Sequence, residues 1–144
     1  HDATGTAVEA FHAPWREKMM DKRLAKGKGL AADLPQPKLY GPAKAKLTLL
    51  GWGSTRGPVL EALKMLPHVN YVHVPAPFPV PVAALRVKLK GAKRVVAIEN
   101  NATGQFATLY AGASGHLIEE RWLKYDGRQF WPEEIIERVS RLTR

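Results

Sequence analysis

Short apolar runs alternate along this chain with segments whose apolar residues recur at helical spacing, and that alternation constrains the fold more than any other feature. KLTLLG (46–51), NYVHVP (70–75), KRVVAIE (93–99) and HLIEERWLKY (116–125) read as strands, rich in β-branched and aromatic residues. Between them, PVLEALKML (58–66) sets Val59, Leu60, Leu63 and Leu66 on one helical face, and VAALRVKLK (82–90) does the same with Val82, Leu85 and Leu89. GQFATLYAG (104–112) reads as a third helix. PEEIIERVSRLTR (132–144) reads as a fourth, with Ile135, Ile136, Val139 and Leu142 inward, glutamates in its first turn and arginines in its last, as the helix dipole prefers. PAPFPVP (75–81) is an extended connector, because each proline holds its predecessor out of the helical region. Strands separated by helices pair in parallel and need cover on both faces. The expected fold is α/β, a three-layer α/β/α sandwich with a mostly parallel sheet.

Upstream the pattern changes. PWREKMMDKRLAK (14–26) reads as a helix with Pro14 in its first turn and Trp15, Met19 and Met20 as an apolar stripe, stopped by Gly27 and Gly29. LAADLPQPKLYGPAK (30–44) reads as a linker, rich in proline and small residues. The division expected is 1–43 for an interdomain helix and linker, and 44–144 for the α/β domain. The first residue is His1 rather than methionine, which predicts a piece of a longer chain.

Charge and cysteine usage bound the chemistry. A formal charge of +9 favours an anionic partner, yet the basic residues are scattered and do not interleave with aromatics as single-strand binders require. Nucleic acid is therefore a disfavoured partner, and a solvated basic surface the simpler reading. There is no cysteine, which excludes disulfides and thiolate metal sites and fits a reducing, cytoplasmic setting. No apolar run reaches the roughly 20 residues of a membrane span.

Two loops follow strands and precede helices. The first is GWGSTRG (51–57). Its glycines permit a sharp turn, Ser54 and Thr55 can cap the next helix, and Arg56 stands at the positive end of a helix dipole, where a cation makes sense if it grips an anion or a partner's carboxylate. The loop lacks the GK[ST] ending of a P-loop, and its spacing is G-x-G-x-x-x-G rather than the dinucleotide fingerprint. Gly53, Ser54, Thr55 and Arg56 thus read either as a plain turn or as an anion or interface site. The second loop is IENNATGQF (98–106), where Glu99, Asn100, Asn101, Thr103 and Gln105 make a dense polar cluster and Gly104 eases the turn. Ligands and partners dock at such carboxyl-end loops of open α/β sheets. Local capping by Asn and Thr is the competing reading.

No nucleophile–base pair accompanies either loop. The five histidines, His1, His12, His68, His73 and His116, lack metal-ligand spacing, and His73 in its strand reads as structural. Trp122, Tyr125, Phe130 and Trp131 read as core and rim packing, and Asp126-Gly127 as a turn. No catalytic residue and no metal ligand is assigned. A nucleic-acid module and a self-sufficient enzyme with an anion pocket at 53–56 stay open as alternative classes.

Taken together and in this order, LTLLGWGSTRGPVLEAL, PFP, VVAIENNATGQFATL and KYDGRQFWPEEIIERV resemble the C-terminal part of the alpha subunit of 2-oxoacid:ferredoxin oxidoreductases, the 2-oxoglutarate type in particular. HDATG and REKMMDKRLAK resemble the segment that joins the preceding domain to this part, so the likeness covers nearly the whole chain. The resemblance implies a domain like the C-terminal domain of transketolase. It implies a parent enzyme that decarboxylates a 2-oxoacid on thiamine diphosphate and Mg, passes electrons through an iron–sulfur cluster in a partner subunit to ferredoxin, and forms an acyl-CoA with coenzyme A. It places the thiamine site on the preceding alpha-subunit domain and a beta subunit, so this chain by itself is expected to be inactive and to hold no cofactor. GWGSTRG and ENNATGQ are then expected to form one polar edge that docks on those partners. Arg56 would make a charge-assisted contact to a carboxylate or a coenzyme A phosphate. Asn100, Asn101, Thr103, Gly104 and Gln105 would form the amide-rich side of the interface.

Overall fold

The computed structural model describes residues 13–142. The opening stretch 1–12, with His1 and His12, and residues 143–144, the end of the expected C-terminal helix, lie outside the described residues. The chain divides after Leu34 into two compact units. The first holds helix α1 (Ala13–Asp33). It does not stop at Gly27 and Gly29 as expected. Glycine weakens a helix by about 1 kcal/mol without forbidding it, and the stop comes where Pro35 begins to disfavour helical geometry before it. The Leu34 N–H still closes on the Leu30 carbonyl at 3.1 Å. Along α1, Met20, Leu24 and Leu30 are exposed.

The second unit is a five-stranded sheet flanked by helices. Its strands are β1 (Lys38–Tyr40), β2 (Leu47–Trp52), β3 (Val69–Val74), β4 (Val95–Glu99) and β5 (Arg121–Leu123), in the order β1-β3-β2-β4-β5. All neighbours are parallel except β1, which runs antiparallel to β3. Strand β1 lies inside the stretch expected to be linker. Three residues between prolines and a glycine carry no periodicity of their own, and pairing with β3 makes the strand. At the other edge only Arg121–Leu123 of the expected 116–125 strand joins the ladder.

Helices α2 (Arg56–Leu63), α3 (Val82–Leu89), α4 (Gln105–Ser114) and α5 (Pro132–Leu142) supply the outer layers. Side chains alternate along each strand, so the sheet divides the interior in two. Leu47, Leu49, Tyr71, Ile98 and Trp122 pack with Val59 and Ala62 of α2 and Ile135 and Val139 of α5. Leu50, Val72, Val74 and Ala97 pack on the other face with Leu85 of α3 and Phe106, Ala107 and Tyr110 of α4. The chain leaves β2 for α2 on the first face and leaves β4 for α4 on the second. Adjacent strands whose connections part in this way form the topological switch point, where α/β sheets open a crevice to a ligand or partner.

Candidate functional site

Both polar loops lie at that crevice. Gly51, near the end of β2, leaves room for the buried Thr55 hydroxyl beside the Ile98 backbone of β4. A Cβ on it would stand 2.7 Å from Thr55 Oγ1 and 2.9 Å from the Ile98 carbonyl oxygen. Trp52 leaves β2 extended, Gly53 takes a positive φ of 58°, and Gly53–Thr55 make one 3-10 turn that feeds α2 at Arg56. Neither Ser54 nor Thr55 caps the helix as expected, for α2 has no side-chain cap. Thr55 is buried, and its hydroxyl donates to the Trp52 carbonyl at 2.7 Å and shares a 3.0 Å hydrogen bond with the Tyr71 phenol. Burial holds that phenol protonated, well above its ordinary value, against the smaller opposing effect of the Thr55 bond.

The second loop is organised by Glu99, which is 0% exposed. Its Oε2 accepts from the Phe106 N–H at 2.9 Å, from Asn101 Nδ2 at 2.8 Å and from the Trp52 indole at 3.1 Å, while Oε1 accepts from the Ala107 N–H at 2.9 Å. Asn101 Oδ1 accepts from the N–H groups of Thr103 (3.2 Å) and Gln105 (3.1 Å). The first-turn N–H groups of α4 are thereby satisfied by side chains. A buried carboxylate is tolerable here because it meets aligned N–H donors and the positive end of a helix. Gly104 is buried at φ 62°, and a Cβ on it would touch Arg121 Cδ at 3.0 Å.

The indole bond from Trp52 to Glu99 ties the first loop to the second, and Ser54 and Asn100 line one cleft of about 510 Å³ with Lys124, Tyr125, Gly127, Arg128 and Gln129. Asn100 Oδ1 is buried without a hydrogen-bond partner. Lys124 is drawn back by Glu134, whose carboxylate oxygens lie 2.6 and 2.7 Å from its ammonium. Tyr125 and Trp131 remain exposed.

The expected site residues therefore separate into groups. Ser54 and Asn100 meet in the cleft. Thr103 and Gln105 line a different depression with Thr108 and Leu109 of α4. Both ends of the Asn101 amide are used inside the loop, Thr55 faces inward, and Gly104 lies under Arg121. Arg56 does not join the cleft. Its guanidinium lies 5.7 Å from the centre of the Tyr40 ring, on the β1–β3 side of the turn. Tyr125 lines the cleft rather than serving only as rim packing, and Lys124, Arg128 and Gln129 are cleft residues the sequence reading passed over; their place after a strand, beside the Asp126-Gly127 turn, is the signal that locates them. Among the described residues no group of three His, Asp or Glu side chains could hold a metal ion, and the chain offers no thiolate to a cluster. Nor is any helix of the described residues long and apolar enough to cross a membrane.

No family model matches the chain. It is 31% identical over 149 residues to subunit alpha of 2-oxoacid:ferredoxin oxidoreductase 2 of Aeropyrum pernix, a match that takes in 99% of this chain and 23% of that protein. Its homologues are 2-oxoacid:ferredoxin oxidoreductase alpha subunits. Subunit alpha of oxidoreductase 1 from the same organism is 30% identical over 135 residues, covering 88% of this chain and 21% of that subunit. The solved structure of 2-oxoglutarate:ferredoxin oxidoreductase from Magnetococcus marinus, with 2-oxoglutarate, coenzyme A and succinyl-CoA bound, superposes on the whole chain with a TM-score of 0.82 at 26% identity. There too the match spans only 26% of that chain. The chain thus spans about a quarter of the length of the alpha subunits it matches, and the fold it shares with the Magnetococcus structure is an α/β domain with a mostly parallel sheet.

Proposed function

We propose that this chain is the C-terminal, transketolase-C-like domain of a 2-oxoacid:ferredoxin oxidoreductase alpha subunit, and that it serves assembly rather than chemistry. The observation that carries this reading is the cleft at the β2–β4 switch point, where two loops locked together by Trp52 and Glu99 meet the segment after β5, lined by polar side chains that include no nucleophile–base pair. The exposed Tyr125 ring beside Ser54, Asn100 and Arg128 has the composition of a protein–protein contact, an aromatic anchor with a few directional polar groups. Asn100 Oδ1, buried and without a partner, is an acceptor that a donor from the neighbouring piece would satisfy. Buried polar contacts of this type fix orientation more than they add affinity.

In the parent enzyme a 2-oxoacid, of the 2-oxoglutarate type, is decarboxylated and joined to coenzyme A, with electrons passing to ferredoxin. Thiamine diphosphate, Mg and the iron–sulfur cluster supply that chemistry from the preceding alpha-subunit domain and the beta subunit, in the cytoplasm. This domain contributes the docking edge, and Arg56 adds a charge-assisted contact beside it. The test is reassembly. The chain is mixed with the preceding alpha-subunit domain and the beta subunit, and Asn100→Ala and Tyr125→Ala are compared with the unaltered chain. Each is expected to weaken association by about 1–2 kcal/mol. Unchanged association in both, or 2-oxoacid oxidation by the purified chain alone, contradicts the proposal.

A further inference from the structure

The outer end of β3 collects positive charge that no ion pair among the described residues neutralises. Pairing of β1 with β3 sets Lys38 opposite His73, and pairing of β2 with β3 sets Gly51 on the other side of it. Strand alternation then puts His73 on the same sheet face as Tyr71, toward the start of α2. Tyr40 stacks on Tyr71 with ring centres 6.3 Å apart, Tyr71 lies 5.9 Å from the His73 ring, and the Arg56 guanidinium covers Tyr40. His73 is 8% exposed, and its Nε2 is buried with no hydrogen-bond partner. Helix α2 carries no acidic residue in its first turn. Among the described residues neither Lys38 nor Arg56 enters an ion pair. A carboxylate commonly offsets such a convergence, and none among the described residues pairs with Lys38 or Arg56. The groups that face His73 are Lys38 and Tyr40 from β1, Tyr71 from its own strand, the Gly53 backbone and Arg56.

We propose that Lys38, Arg56 and His73 form a binding corner for one small tetrahedral oxyanion group, of sulfate or phosphate type, separate from the docking cleft. Arg56 and Lys38 supply charge-assisted hydrogen bonds. The orphan imidazole nitrogen supplies a third once protonated. In the free protein burial holds His73 below its ordinary value, with the fields of Arg56 and Lys38 adding to it against a hydrogen bond to the Gly53 backbone. An anion offsets the two cations, so its arrival draws a proton onto the ring. Binding therefore couples to proton uptake and weakens as pH rises.

The test uses the full chain and inorganic sulfate, whose charge is constant across neutral pH, at fixed ionic strength with chloride as the reference. Calorimetry and imidazole NMR are expected to show saturable binding, tighter below neutrality than above, with His73 becoming protonated as sulfate is added. Arg56→Gln and Lys38→Gln each weaken binding about tenfold. Lys88→Gln, an exposed lysine on α3, leaves it unchanged. No saturation beyond the chloride reference overturns the proposal. So does an equal loss with Lys88→Gln, or tighter binding of acetate than of sulfate. Binding without protonation of His73 removes the imidazole from the site. Because the readout involves neither assembly nor turnover, its failure leaves the docking reading standing, and loss of docking leaves this one standing.

Discussion

Replacing Glu99 by glutamine asks how much one buried carboxylate holds together. The side chain accepts four N–H donors at 2.8–3.1 Å, three of them on Oε2. A hydrogen bond to a charged acceptor contributes about 1.5–3 kcal/mol, and a neutral one about half that. Glutamine keeps one carbonyl oxygen. If that oxygen takes the place of Oε2, three bonds survive at reduced strength and the new amide opposes the Ala107 N–H. Loss of the charge also forfeits about 0.3–1 kcal/mol against the dipole of α4. Against this, removing the carboxylate removes its cost of burial, which is several kcal/mol before compensation. The expected net destabilisation is about 2–4 kcal/mol, set against a total stability of roughly 5–15 kcal/mol for a domain. Urea unfolding followed by tryptophan fluorescence should show it as a fall in midpoint of order 1–2 M. Glu99→Leu, which leaves all four donors buried and unmet, should be worse than Glu99→Gln. A loss below about 0.5 kcal/mol for glutamine, or a leucine variant as stable as the glutamine one, refutes the reasoning, since the carboxylate would then be a net burden.

Other outcomes follow from the same geometry. Gly51→Ala should cost about 1–3 kcal/mol in the same unfolding assay, because its Cβ meets the Ile98 carbonyl at 2.9 Å. Gly57→Ala meets nothing within 4 Å in α2 and should stabilise the chain by up to about 1 kcal/mol in the same assay; a loss of stability contradicts the helical reading of this position. Tyr71→Phe removes the phenol that shares a hydrogen bond with Thr55 and should cost about 0.5–1.5 kcal/mol, and adding Thr55→Val should cost about a further 0.5–1.5 kcal/mol, because the Trp52 carbonyl then loses its donor. Acid should weaken the fold in two stages. His73 is held below its ordinary value of 6.5, chiefly by burial, so stability present above that pH falls as pH drops through the folded value. Glu134 is held below the ordinary carboxylate value, chiefly by its hydrogen bond to Lys124, so its contribution is present above that value and is lost at lower pH. Stability measured across pH should lose the lower stage in Glu134→Gln and keep the upper one.

The sheet and its helices were legible because each buried strand carries its own apolar run and each helix its own stripe, from Leu47–Leu50 to Ile135 and Val139. What was not legible depends on partners far along the chain. Lys38–Tyr40 become a strand only against β3, and HLIEE fails to become one although its composition allows it. The two loops were found from their glycines and amides, but their roles were settled by side-chain bonds. Trp52 and Glu99 are separated by 47 positions, and no local pattern announces that they meet. The same holds for Arg56. Its position at a helix start was readable, whereas its turn toward Tyr40 and His73, away from Asn100, follows from a strand hidden in the presumed linker.

Trp52 and Glu99 also bear on how fast and how tightly another molecule can settle on this surface. Because the paired loops are already cross-tied through a buried carboxylate, a newcomer would meet a finished template and would not need to freeze disordered backbone before touching it. Cutting that tie with Trp52→Phe should therefore show itself less in the resting fold than in recognition, as slower capture and a larger entropic penalty.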